Sequence, residues 1–313
     1  TAVTLLALSL SLHQSQTSSK PTIIKAILNT TLSQKAIKMK RTKYAILTAI
    51  VLSISTALAQ PKANIKVSYD WHQYSPKGVQ YKTRMMLLSG QEMSKFFEPV
   101  GEYVDSLRST PEGLEALNQI AVAYFKKGDF ASCPKKRIYL YVVKDFNNDI
   151  LTTYDGDEGD HSYSFKCEEP FSDIKWEIGD STKNILGYEC IQAATDYHGR
   201  RWTAWFAPEI PAIDGPWKLC GLPGLILEAA DSTGQHSFVA TGIEKSDKSI
   251  EVIVGPWDYE KTSSKNMYRQ LRKLMENPFG NTNAATNRSM GSCILNPINE
   301  KCDFLETDYK TGS

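Results

Sequence analysis

Residues 196–217 gather most of the side chains with chemical potential: His198, Arg200, Arg201, Trp202, Trp205, Phe206, Glu209, Asp214 and Trp217. Arginine interleaved with tryptophan can build a ligand pocket or a partner surface, because both bury area while keeping hydrogen-bonding groups. The same spacing also suits a strand with two faces, Trp202, Ala204 and Phe206 on one side and Arg201, Thr203 and Trp205 on the other. His198 precedes Gly199 at an expected hairpin tip, a place where binding residues are displayed and where unusual backbone angles are tolerated. The residues carried forward as a ligand or partner surface are His198, Arg200, Arg201, Trp202, Trp205, Glu209 and Trp217.

Other chemistries find less support. Asp155, Asp157, Glu158 and Asp160 lie on a glycine-containing run that ends in His161; carboxylates in such a loop can hold Ca²⁺ or simply form a solvated turn. The run lacks the order of an EF-hand loop. His72, His161, His198 and His236 have no His or Cys at the short spacings that place two ligands on one strand or helix, so no metal site is assigned. The patterns of a nucleophile elbow, a zinc-protease helix, a phosphate-binding loop and a dinucleotide fold are absent, so no catalytic residue and no cofactor is assigned.

The elements that must position these residues begin after a leader. Residues 39–59 read as a charged start, an apolar run from Tyr44 and an Ala57-Leu58-Ala59 cleavage site, the plan of a secretory signal peptide. Residues 1–38 are expected to be a misassigned upstream extension. Of 36 basic and 35 acidic residues, seven basic and no acidic ones precede Gln60, which leaves 29 against 35 and a net charge of −6 for the mature part. A mildly acidic exported chain is a poor fit to nucleic acid, and no membrane span is expected once the leader is removed. Six cysteines in an oxidising compartment suggest up to three disulfides: Cys293 with Cys302 first, Cys190 with Cys220 second, with Cys133 and Cys167 as the further candidates.

Alternating apolar residues predict a hairpin from residues 64–71 and 81–88. Further short strands are predicted at 137–146, 149–155, 163–167, 174–178, 187–197, 200–206, 225–229, 237–243 and 250–254. A helix is expected from Pro111, after the cap Thr110, to a stop at Gly128, and a second one over 259–277. The fold class is mainly β: an antiparallel meander forming a curved sheet, half-barrel or sandwich with about two covering helices. Residues 60–280 are read as a single domain with a helical insertion near 110–128, and 281–313 as a loop and disulfide-stapled tail. The turn Gly221-Leu222-Pro223-Gly224-Leu225-Ile226 supplies no acid, base or nucleophile. It is expected to turn the chain inside the core through Gly221, Pro223 and Gly224.

That hexapeptide carries a resemblance. Together with Lys175-Trp176, the run from Thr182 to Cys190, Pro208-Glu209-Ile210-Pro211 and Asp214-Gly215-Pro216-Trp217, in this order and spacing, it resembles the GLPGLI family of exported bacterial proteins. The resemblance implies export to a Gram-negative envelope and a mainly antiparallel β fold. It implies no biochemical activity and no catalytic residue. By analogy with periplasmic lipoprotein carriers, it suggests a curved sheet with a helix on its concave face. The expected function is a periplasmic binding or interaction module, with an outer-membrane or other envelope protein as partner. The alternatives are a carrier of a lipid-like or peptide ligand in an apolar concavity, and an envelope enzyme using residues 196–217.

Overall fold

A computed structural model of the chain describes residues 60–75, 78–156, 164–254, 258–276 and 303–310. The expected leader, most of the acidic run, the 281–292 loop and the pair Cys293 and Cys302 lie outside the described residues.

Period-two patterning builds the strands. They are β1 (Ile65–Tyr74), β2 (Gln80–Ser89), β3 (Met93–Phe97), β4 (Tyr141–Asp145), β5 (Ile150–Gly156), β6 (Ser164–Glu169), β7 (Glu177–Ile185), β8 (Tyr188–Tyr197), β9 (Arg200–Ala207), β10 (Leu225–Asp231), β11 (His236–Lys245) and the two-residue β12 (Glu260–Lys261). All belong to one sheet, in the order β12-β6-β5-β4-β3-β2-β1-β11-β10-β9-β8-β7. Every ladder is antiparallel except β12 with β6. Two meanders therefore meet where β1 pairs with β11, and the fold is one mixed, mostly antiparallel open sheet and not a sandwich.

The two-residue hairpin tips follow from residues that accept positive φ. Leu186-Gly187 and His198-Gly199 have φ of 52° and 89°, and of 50° and 78°, which is the handedness that matches strand twist. Along β9, Arg200, Trp202, Ala204 and Phe206 are buried, whereas Arg201, Thr203 and Trp205 are only partly so, the split expected from alternation. Trp202 stacks towards Phe238, and Phe238 packs against Trp71 and Phe96, so aromatic side chains from β1, β3, β9 and β11 share one face.

That face curls around the chain's own loop. Ile210, Trp217, Leu219, Cys220 and Leu222, between β9 and β10, join the main core, to which no helical residue belongs. On β4, six places along the sheet from β9, the Lys144 ammonium donates to Asp214 at 2.6 Å and to the Gly215 carbonyl at 2.7 Å. From β1, the Tyr69 hydroxyl donates to the Ile226 carbonyl at 2.6 Å. The inner face is thus filled by residues 210–226 rather than by the helix that the carrier analogy suggested.

Three α-helices occur among the described residues: α1 (Pro99–Arg108), α2 (Pro111–Lys127) and α3 (Ser264–Glu276). The expected caps of α2 are present, with the Thr110 hydroxyl accepting from Gly113 N at 3.0 Å and Gly128 at φ 71°. α1 was missed by periodicity, yet Glu98 caps it, accepting from the N–H groups of Val100 and Gly101. No helix among them is long and apolar enough to cross a membrane. β3 was also missed, and residues 250–254 form no strand. Residues 171–173 take a 3-10 turn and β7 starts only at Glu177, so the strand expected at 174–178 moves towards the hairpin with β8.

The disulfide expectation is corrected. Cys133, Cys167, Cys190 and Cys220 are free thiols, so neither Cys190 with Cys220 nor Cys133 with Cys167 is bonded. Cys167 packs against the Met267 sulfur at 3.7 Å in a satellite core between β6 and α3, away from partly exposed Cys133. Cys190 and Cys220 are both sealed in the main core, where an apolar thiol packs as a small hydrophobe.

Candidate functional site

The candidate site forms where the hairpin tip of β8 and β9 meets the end of β6, the loop before β10 and residues 303–310. His198 has a left-handed backbone at the tip, which turns its ring towards Glu169 on β6. Its Nε2 lies 3.0 Å from Glu169, and its Nδ1 lies 3.2 Å from Glu306 and 3.4 Å from Asp308. Lys218 enters from the opposite side because Trp217, buried and at φ 52°, turns the loop inward. Its ammonium is fully buried, 2.6 Å from Glu306 and in contact with Glu169. The Ser264 hydroxyl, at the start of α3, donates to Glu306.

Electrostatics follow from this packing. Burial works against the charge on His198, but hydrogen bonds to Asp308 and Glu169 outweigh it and push its pKa up to about 9. Burial likewise opposes ionised Glu169, and the Lys218 and His198 cations hold it down to about 2. Lys218 is pushed above its ordinary value by Glu306 and Glu169, again against burial. The result is a network in which His198 and Lys218 meet Glu169, Glu306 and Asp308, with the exposed Lys265 at its edge 3.7 Å from Asp308.

Glu169, His198 and Glu306 also present ligand atoms close enough together to hold a metal ion. Lys218 already stands between the two glutamates as the cation, so a divalent ion would have to displace a buried ammonium. No proton-transfer role follows either, because an imidazolium held to about 9 by acceptors is a poor base at neutral pH. Two clefts among the described residues are lined by none of the network residues. One, of about 290 Å³, lies beside Ile65, Ser89, Phe146 and Ile210, and another, of about 370 Å³, runs along Asn118, Val122 and Lys126 of α2.

The network pins residues 303–310 across the sheet rim. Arg200 donates from Nη2 to the Phe304 carbonyl at 2.6 Å and from Nε to that of Leu305 at 3.1 Å, while Nη1 pairs with Asp231 at 2.7 Å. His236 Nε2 meets the Asp303 carbonyl at 2.8 Å, and Arg269 of α3 donates to that of Tyr309 at 3.1 Å. Thr307 N donates to the His198 carbonyl at 2.9 Å. A Cβ on Gly199 would come within 2.6 Å of the Thr307 hydroxyl, so the glycine lets the segment approach. Phe304 and Tyr309 pack against Tyr268, and Leu305 joins the main core.

Of the residues singled out by sequence, His198, Arg200, Trp202 and Trp217 converge on this inner side. Arg201 and Trp205 point to the other face, Arg201 pairing with Asp196 at 2.9 Å and with Glu177, and Trp205 lying under the Lys183 ammonium. Glu209 is exposed and joins neither group. The central turn is half surface: Gly221 and Pro223 are exposed, whereas Leu222, Gly224, Leu225 and Ile226 are buried. A Cβ on Gly224 would lie 2.3 Å from the Ala207 carbonyl oxygen, which explains that glycine. Glu169, Lys218, His236, Glu306 and Asp308 were missed. The Asp-Phe-Leu-Glu-Thr-Asp-Tyr run from 303, acidic and aromatic together, was the available signal.

Residues 196–228, from the end of β8 into β10, match the family described as "Protein of unknown function (Porph_ging)". No curated protein matches the chain. Among solved structures, PNGF-II in C2 and P21 crystal forms is similar at 12% identity and TM-score 0.44, over 68% and 69% of this chain. The match takes in 33% and 34% of those chains, so this chain spans about a third of their length. The LolA superfamily protein NE2245 from Nitrosomonas europaea is similar at 9% identity and TM-score 0.24, over 61% of this chain and 89% of its own.

Proposed function

We propose that the chain is an exported binding module of the Gram-negative envelope, of the GLPGLI type, whose ligand is a protein segment rather than a lipid or a small substrate. The observation that carries the reading is the filled inner face. Residues 210–226 occupy the concavity where an apolar ligand would sit, and Lys144 and Tyr69 lock them there. What the rim holds instead is residues 303–310, whose carbonyls meet Arg200, His236 and Arg269 and whose Glu306 carboxylate meets Lys218. Side chains that bind carbonyls and carboxylates are suited to peptide recognition.

Export rests on the leader at 39–59 and is checked by the N-terminus of the mature protein, expected at Gln60 in a periplasmic extract. Native mass spectrometry of the protein released from its own envelope tests the ligand class. A dissociable complex with a protein supports the reading; a stoichiometric lipid adduct overturns it.

A further inference from the structure

The groove between the β8–β9 tip and α3 holds residues 303–310 in the way a receptor holds a peptide. The side chains that donate to the carbonyls of 303–305 and 309 and the cations that meet Glu306 come from β8–β11, the loop before β10 and α3, while the Phe304 N–H is taken within the segment by Asp303. Main-chain carbonyls taken by side-chain donors give affinity that does not depend on the segment's side chains. The buried Glu306 between Lys218 and His198 adds a requirement for a carboxylate at one position. Phe304 and Tyr309 flank that position and bury against Tyr268. Twenty-six residues, 277–302, separate α3 from position 303 in sequence.

We propose that this groove is a peptide-binding site for an acidic segment of a partner protein with an aromatic residue on each side of a buried glutamate, and that residues 303–310 occupy it in cis as a competitor. The proposal rests on the reading of the chain as a protein-binding module and names the partner's chemistry from charge complementarity. A segment of the same chain competes as an intramolecular ligand, so an added peptide gains access only when the cis segment is weakened.

The test uses the full mature chain and a fluorescein-labelled peptide, Asp-Phe-Leu-Glu-Thr-Asp-Tyr-Lys, followed by anisotropy. Wild type is expected to show little binding. Glu306→Gln weakens the cis segment at the carboxylate, and Thr307→Pro does so separately by removing the N–H that donates to His198, without touching the charges. Glu306→Gln should bind the peptide about 10- to 100-fold more tightly than wild type, the value of one hydrogen bond to a charged group, and Thr307→Pro about 2- to 10-fold more tightly, the value of a neutral one. The peptide with Gln in place of Glu should lose that gain, and so should either variant when Lys218→Met is added. If both variants melt cooperatively yet bind no peptide, or bind the Glu and Gln peptides equally, the groove is structural and the proposal fails. A protein complex still found by native mass spectrometry would then leave the broader binding reading standing.

Discussion

Replacing Lys218 with Met should turn the buried network from a stabilising device into an acid-sensitive fault. The ammonium is fully buried and is the nearest cation to both Glu169 and Glu306, so its loss leaves a buried carboxylate and a partly buried one with His198 as their remaining cation. Removing one partner of a buried pair costs about 3–5 kcal/mol. For a domain of this size that lowers Tm by about 6–20 °C at neutral pH. The pH dependence provides the sharper signature. In wild type, Glu169 titrates at about 2 in the folded state and at its ordinary 4.5 when unfolded, so its contribution is present above 4.5 and is lost as pH falls towards 2. Without Lys218, burial dominates and pushes the carboxyl pKa above 4.5. The variant is then penalised as pH rises through and beyond 4.5 and should recover stability on going from pH 7 to pH 5. Thermal unfolding followed by circular dichroism at both pH values reads the two slopes. A loss below about 1 kcal/mol, or a variant whose gain in stability from pH 7 to pH 5 is no larger than that of wild type, would refute the reasoning.

Three further outcomes are expected. Gly224→Val places its Cβ into the Ala207 carbonyl and should leave little folded protein in a solubility and melting assay; Gly221→Ala makes only an ordinary contact with Trp176 at 3.9 Å and should cost only the strain of φ 91°, about 1–2 kcal/mol. Denatured, unreduced protein should expose at least four titratable thiols, those of Cys133, Cys167, Cys190 and Cys220. In native protein partly exposed Cys133 should react first, because burial pushes Cys167 and Cys220 up to about 12. Finally, His198 rises from 6.5 to about 9 on folding, so its contribution of about 3 kcal/mol is complete below pH 6.5 and is lost as pH climbs to 9. Asp155, pushed up to about 7 by burial, adds loss in the same direction at the lower end. Denaturant midpoints measured from pH 6 to 9.5 should fall across that window, and a flat profile would contradict it.

Local patterns were legible where a rule of short range governs them. The alternation of β9, the His198-Gly199 tip, and the Thr110 and Gly128 caps of α2 are fixed by neighbours a few residues apart, and all three appear as read. The site was legible only in part. His198 and Arg200 stood out through their types, but the partners that define their roles lie 29 residues upstream at Glu169 and more than 100 downstream at Glu306. Lys218 beside Trp217 reads in sequence like an ordinary surface lysine; only the left-handed turn at Trp217 buries it. Cysteine count misled because compartment logic supplies a prior for pairing and says nothing about which thiols the core keeps apart.

The central claim is that His198 belongs to an ion network that holds residues 303–310, and is neither a general base nor a metal ligand. Nuclear magnetic resonance of the imidazole nitrogens in selectively labelled protein measures this most directly, at pH 7 with and without added Zn²⁺. The account predicts an imidazolium that titrates near 9 and does not respond to zinc. A neutral ring at pH 7, or a shift of its nitrogens on stoichiometric zinc binding, would contradict it.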